Sequence, residues 1–267
     1  GHHIGKCKMK IVYQSSDSFC MMAGISIISL FENNKDIDIL DIVILDAGIS
    51  ERNKSKIKQI GKSYNRDINF VEINTYINRI KGYGLKEYNG SCAMYMKFFL
   101  DECFHEDEKI LYLDCDTIII DKLKELWEWN LNGKCMGMAI DCMNSELKKG
   151  FGLSKNTIYY NTGVILFDLA QWRKDQCKDI FIRYVKNHPY DFPFVDQDII
   201  NICLNNKIST LPMKFNCISL YEKFSSDEIK YMYKLNSRTF YSKEEFVRDK
   251  KSPVIIHFPT VYFSRPW

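Results

Sequence analysis

Apolar positions in the first half of the chain fall into short β-rich runs separated by longer stretches with helical spacing. Residues 10–13 read as a strand and the small-residue, apolar stretch 19–31 as a helix, a βα start. Residues 37–45 follow as a strand, Ser50 as the N-cap of a helix to about residue 64, and 68–73 as a third strand. Beyond a loop rich in Gly and Tyr at 81–90, residues 93–103 read as a buried helix, and 109–113 as a strand that runs straight into Asp114. This alternation predicts an open, mostly parallel α/β sheet, in which ligands bind outside the carboxyl ends of the strands. The second half is less regular. Residues 134–141, 159–168 and 254–257 are expected as strands, and 170–186 and 196–204 as helices. No internal repeat or low-complexity linker interrupts the pattern, and the polar stretch 225–251 is too patterned to be disordered.

Composition narrows this picture. With 267 residues and 46% hydrophobic positions, the chain is expected to form a single domain over 9–267, the start with Gly1, His2 and His3 being set aside as a tag remnant at 1–8. The 37 basic and 34 acidic residues leave a formal charge of +3, too small and too evenly spread for a nucleic-acid partner. The most basic run, from Arg52 to Lys62, has Ile57, Ile60 and Tyr64 along one edge and reads as the solvated face of a helix. No stretch approaches the roughly 20 apolar residues that span a bilayer, and the start does not resemble a signal peptide. None of the ten cysteines forms a C-x-x-C pair, and several sit in apolar runs. A reduced, cytoplasmic setting is the expectation.

Candidate chemistry concentrates at ILYLDCDTIII, residues 110–120. Side chains of an extended chain repeat every two residues, so Asp114 and Asp116 point the same way. Two carboxylates converging beside a buried strand call for a cation, and hard oxygen ligands suit Mg²⁺ or Mn²⁺. His257 follows the apolar run 254–256 at another predicted strand end and is a third candidate ligand, its nitrogen favouring Mn²⁺. From these letters alone, acids at a strand-to-turn junction and a hydrogen-bonded core histidine remain the alternatives.

ILYLDCDTIII, YYNTGVILFDLAQWR, FVDQDIINICL and a closing IIHF…RPW occur in the order found in family-8 glycosyltransferases, with VILDAGIS upstream. The chain resembles that family from Met9 to Trp267, and within it the bacterial lipopolysaccharide-type glucosyl- and galactosyltransferases. The resemblance implies a GT-A fold, a Rossmann-like nucleotide-binding α/β domain that binds a UDP-sugar with Mn²⁺ (or Mg²⁺) and transfers the sugar with retention. Asp114, Asp116 and His257 match the family's metal ligands, with Cys115 between the two acids against the donor. The turn Gln14, Ser15, Ser16, Asp17 and Phe19 matches the uridine cradle; Ser16 stands for a more frequent Asp or Asn, and Phe19 for a Tyr. Lys97 stands where many relatives carry a donor-binding arginine.

By the same resemblance Asn161 and Thr162 bind donor-sugar hydroxyls together with Gly163, although a plain turn between strands explains those letters equally well. Asp196 also binds sugar hydroxyls, Gln197 lies beneath the anomeric carbon, and Asp141 is a further active-site acid. The closing segment departs from the family: Thr260 and Phe263 replace a glycine and a lysine, and Arg265 is the cation left to reach the diphosphate. The implied activity is transfer of a hexose from UDP-glucose or UDP-galactose to a glycan or glycoconjugate acceptor. Peripheral membrane contact through a tail beyond Trp267 is a further implication. A UDP-sugar hydrolase and a non-catalytic UDP-sugar or glycan-binding module are the competing readings. A glycoside hydrolase fits less well, because its two acids must flank the bond, whereas Asp114 and Asp116 share one strand face.

Overall fold

Alternation along the strands decides which side chain faces which layer. In a computed structural model, which describes residues 7–85, 87, 91–188 and 196–259, ten strands form. They are β1 (Lys8–Ser15), β2 (Ile39–Asp46), β3 (Asp67–Glu72), β4 (Lys109–Leu113), β5 (Thr117–Ile119), β6 (Met136–Ile140), β7 (Tyr160–Asp168), β8 (Ile208–Thr210), β9 (Cys217–Ile218) and β10 (Ile255–His257). Seven make one sheet in the order β3-β2-β1-β4-β7-β6-β8. Only β7 runs antiparallel to the rest.

On one face Ile11, Tyr13, Ile42, Ile44, Leu111 and Leu113 pack with the helix Cys20–Asn33. On the other, Val12, Val43, Leu45, Ile110 and Tyr112 pack with the segment 93–99 and with Trp172 and Phe181. Burial on both faces is why these strands read as near-continuous apolar runs.

The strand order reverses at β1, which has β2 on one side and β4 on the other. Pairing between β1 and β4 covers only Ile11 with Leu111 and Val12 with Tyr112. Beyond it the two strands part, and Gln14 and Asp114 end on either side of the crevice that such a switch point creates. The chain then leaves the main sheet after β4. β5, β10 and β9 form a second, three-stranded sheet in which His257 lies opposite Thr117. The two acids thus occupy the corner between the sheets.

Several expectations need correction. Residues 93–103 are helical and largely buried as expected, but Ala93–Phe99 is a 3-10 helix and only Leu100–Cys103 is α-helical. Its side chains are buried nearly all round, with Phe98 stacked on Phe181 at 3.7 Å, so packing rather than an amphipathic period sets the backbone. The expected helix 170–186 breaks into Leu169–Lys174 and Cys177–Asn187, with Gln176 in the left-handed region at φ 54°. Asn161, Thr162 and Gly163 are not a turn between two strands. They lie inside β7, where the register with β6 shifts from Gly137–Leu166 to Ala139–Asn161, a bulge that re-aims the intervening side chains.

The polar stretch 225–251 contains the helices Ser226–Tyr233 and Lys243–Lys251, each opened by a capping box, Ser225 with Glu228 and Ser242 with Glu245. All ten cysteines are free. No helix among the described residues is long and apolar enough to cross a membrane.

Candidate metal and donor site

β4 delivers Asp114, the turn after it delivers Asp116, and β10 delivers His257 to one point. Their ligand atoms lie within 4.8 Å of one another. His257 Nε2 is 3.1 Å from Asp116 Oδ1 and 3.7 Å from Asp114 Oδ2. The shorter of these is close to the edge of about 3 Å expected between neighbouring ligands on a hard divalent ion with bonds of about 2.1 Å. Asp114 is braced from two sides: Tyr112 Oη donates to Oδ1 at 3.0 Å, and the Asp114 N–H donates to the Gly163 carbonyl at 2.8 Å. Thr117 Oγ1 donates to the Asp114 carbonyl at 2.8 Å, closing the turn.

The electrostatics of this corner follow from its burial and its acids. Burial raises the Asp114 pKa; Lys97 and His257 pull it down, but burial with the Asp116 and Asp196 charges keeps it above the usual carboxylate range. Burial would lower the His257 pKa, yet Asp116 and then Asp114 outweigh it and hold the imidazole above its ordinary value. Negative charge therefore exceeds what His257 and Lys97 neutralise, so a divalent cation fits these three ligands.

Gly163 makes room for the arrangement. A Cβ there would sit 2.2 Å from His257 Cε1 and 2.7 Å from Nδ1, so any larger residue displaces the ring.

Lys97 is buried rather than snorkelling to solvent. Its Nζ donates to Asp196 Oδ2 at 2.6 Å and lies 5.0 Å from the centre of the Tyr112 ring. Burial alone would lower its pKa, but Asp196, with Asp114 beyond it, holds the ammonium above its ordinary value.

Asp196 and Gln197 open the helix Asp196–Cys203. Asn201 clamps this helix to β7, accepting from the Tyr160 N–H at 2.8 Å and donating to the Tyr160 carbonyl at 2.9 Å. The clamp brings Gln197 against the bulge: its Oε1 accepts from the Thr162 N–H at 3.0 Å and from Thr162 Oγ1 at 3.2 Å, while Nε2 donates to Asp141 Oδ2 at 3.0 Å. Asn161 Nδ2 donates to the same Asp141 oxygen at 3.1 Å.

Alongside lies a cleft of about 540 Å³, lined by Gln14, Ser15, Ser16, Phe19, Ala47 and Met94 and by the 114–116 turn. Gln14 Nε2 donates to the Ala93 carbonyl at 2.8 Å, and the buried Cys115 thiol donates to the Gln14 carbonyl at 3.1 Å. Phe19 offers an exposed ring at the rim. Asp17 faces elsewhere: its Oδ1 accepts from the Ser50 N–H and from Asn53 Nδ2, both at 2.8 Å, bonds that hold its pKa below the usual carboxylate range and brace two neighbouring loops. Thr260 and Arg265 lie outside the described residues.

Sequence reasoning missed Tyr112, Asn201 and Asn216. Each is a single polar side chain within an apolar segment, the one signal available beforehand.

The pattern of glycosyl transferase family 8 matches residues 10–267. The chain belongs to glycosyl transferase family 8. General stress protein A of Bacillus subtilis is 22% identical over 264 residues, which cover 97% of this chain and 87% of that protein. The lipopolysaccharide 1,2-glucosyltransferase of Escherichia coli K12 is 25% identical over 232 residues, covering 85% and 67%. The chain spans less of a Haemophilus influenzae protein named as a glycosyltransferase, 63% of its length at 26% identity. Among solved structures, the galactosyltransferase LgtC in complex with donor and acceptor sugar analogs has a TM-score of 0.73 at 24% identity, covering 94% of this chain and 87% of that one. That likeness identifies the α/β architecture of this family-8 protein as the GT-A fold.

Proposed function

We propose that this family-8 protein is a retaining hexosyltransferase that moves glucose or galactose from a UDP-hexose to a hydroxyl of a glycan or glycoconjugate. The observation that carries the reading is the convergence, at one switch-point crevice, of Asp114, Asp116 and His257 with the Gln197–Asp141–Asn161 cluster. It is supported by relatives named as lipopolysaccharide 1,2-glucosyltransferase and lipopolysaccharide 1,3-galactosyltransferase.

Asp114, Asp116 and His257 would hold Mn²⁺, which when bound neutralises negative charge growing on the leaving diphosphate. Gln14, Ser16 and Phe19 line the cleft where a nucleoside would lie, Phe19 offering a ring face for stacking. The Lys97–Asp196 pair fixes a carboxylate acceptor for donor-sugar hydroxyls, and Asn161, held by Asp141, Gly163 and Asn216, is the second group assigned to them. Gln197 is a poor nucleophile, and two donors from Thr162 already bind its Oε1. That favours a short-lived oxocarbenium-like species attacked on the same face by the acceptor over a stable glycosyl-enzyme.

The test is a panel of UDP-sugars with Mn²⁺, read by UDP release and by mass spectrometry of the product with candidate acceptors. UDP release that requires the ion and accelerates with an acceptor is the expected result. Release indifferent to every acceptor would mean a hydrolase, and saturable binding without release a binding module.

A further inference from the structure

Asn216 belongs to none of the three ligands and none of the donor-binding segments, yet it joins them. It is buried, 1% exposed, and immediately precedes β9, which pairs with β10 and its His257. Its Nδ2 lies 2.9 Å from Asn161 Oδ1, and its Oδ1 lies 3.1 Å from His257 Nδ1.

The direction of every bond in this chain follows from groups whose roles are fixed. The Gly163 backbone N–H can only donate, so the Asn161 atom 2.8 Å from it is the carbonyl Oδ1. Asn161 Nδ2 is then left to donate to Asp141, whose carboxylate accepts. The Asn216 atom facing Asn161 Oδ1 must be its amide nitrogen, which turns Asn216 Oδ1 toward the imidazole. His257 Nδ1 therefore carries a proton, and Nε2 is the atom presented to Asp114 and Asp116. From the other end, the Thr162 N–H fixes Gln197 Oε1, so Gln197 Nε2 donates to Asp141. Both ends agree on one set of orientations.

Resting on the function proposed above, we infer that Asn216 is a positioning residue that holds His257 in its metal-ligating tautomer and, through Asn161 and Asp141, ties the ion site to Gln197. An imidazole with Nδ1 unprotonated would place a lone pair against the Asn216 carbonyl and a proton on the nitrogen needed for the ion. Partners that fix a ligating histidine in this way commonly contribute 10- to 100-fold to metal affinity.

The test measures Mn²⁺ binding by electron paramagnetic resonance of the purified chain without donor, beside UDP-hexose kinetics. Asn216→Ala is expected to weaken Mn²⁺ binding by about 10- to 100-fold and to lower kcat. Asn216→Asp separates the two ends. Its carboxylate still accepts from His257 Nδ1, so Mn²⁺ binding stays close to wild type, but its second oxygen now opposes Asn161 Oδ1, so kcat for the donor falls. A role in packing alone would lower thermal stability in both variants without splitting ion affinity from turnover.

Folded Asn216→Ala that binds Mn²⁺ like wild type, while Asp116→Asn does not bind it, overturns the inference and leaves the ion site standing. Unchanged binding in Asp116→Asn would instead overturn the ion site. Should Asn216→Ala not fold, nitrogen-15 NMR of His257 in the wild-type chain decides: a proton on Nδ1 supports the inference, and an unprotonated Nδ1 refutes it.

Discussion

Two clusters among the described residues gather three ligating side chains within 4.8 Å of one another: Asp114, Asp116 and His257 at the carboxyl ends of the strands, and Cys135, Asp175 and Cys177 at the opposite end of the sheet. In the second, the two thiols contact each other and near neighbours outside the cluster take up the rest. Cys135 Sγ lies 3.6 Å from Cys177 Sγ and 3.6 Å from the Lys207 carbonyl. Asp175 Oδ1 accepts from Gln171 Nε2 at 2.9 Å, and Oδ2 faces Lys207 Nζ at 3.7 Å. Contact with Cys177, with burial, pushes the Cys135 thiol far above its ordinary pKa, away from the thiolate that binds metals. In the first cluster two carboxylates and one imidazole converge beside a cleft, and their neighbours leave an excess of negative charge. Proximity of ligating residue types is common to both clusters; unbalanced charge, fixed orientation and access to a cleft distinguish the first.

Asp116→Asn attacks that imbalance directly, and turnover should fall by about 100- to 1,000-fold, measured as Mn²⁺-dependent UDP release. Lys97→Met leaves the buried Asp196 carboxylate without its cation. A loss of about 3–5 kcal/mol in denaturant unfolding is expected, together with weaker donor binding; an unchanged midpoint would show that the pair is not internal. Gly163→Ala forces His257 aside and should cost about 1–3 kcal/mol while weakening Mn²⁺ binding. A variant with unaltered ion affinity would show that the ring has room after all.

Lys148 supplies the sharpest contrast to the partnered site. It is fully buried, and its Nζ has no hydrogen-bond partner among the described residues. Burial lowers its pKa to about 8, below the ordinary 10.5. The unfolded chain thus binds this proton more tightly, and the resulting stability cost, present below about pH 8, is relieved as pH rises from 8 toward 10.5. Lys148→Met should stabilise the protein by about 1–3 kcal/mol at pH 7 and remove that rise. Loss of stability at pH 7 would point to a role for the amine.

Much of this was legible beforehand, for physical reasons. The D-x-D spacing singled out Asp114 and Asp116 as a pair, although a turn after β4 rather than an extended strand brings their carboxylates together, and the apolar run before His257 placed it at a strand end. Ser50 as an N-cap followed from local chemistry, and its side chain does accept from the Asn53 N–H. What stayed hidden depends on contacts distant in sequence. Lys97 and Asp196 are 99 residues apart, and Asn216 and Asn161 55 apart, so no local pattern announces either pair. The break at Gln176 carries no Gly or Pro. The register shift beside Asn161 is set against β6, a strand distant in sequence.

The most direct measurement is an Mn²⁺ titration of three purified chains, wild type, Asp116→Asn and Cys135→Ala, by electron paramagnetic resonance. The expected result is one ion per chain in wild type and in Cys135→Ala, and none in Asp116→Asn at the same concentrations. No binding in wild type, or binding that survives Asp116→Asn and disappears in Cys135→Ala, would contradict the account.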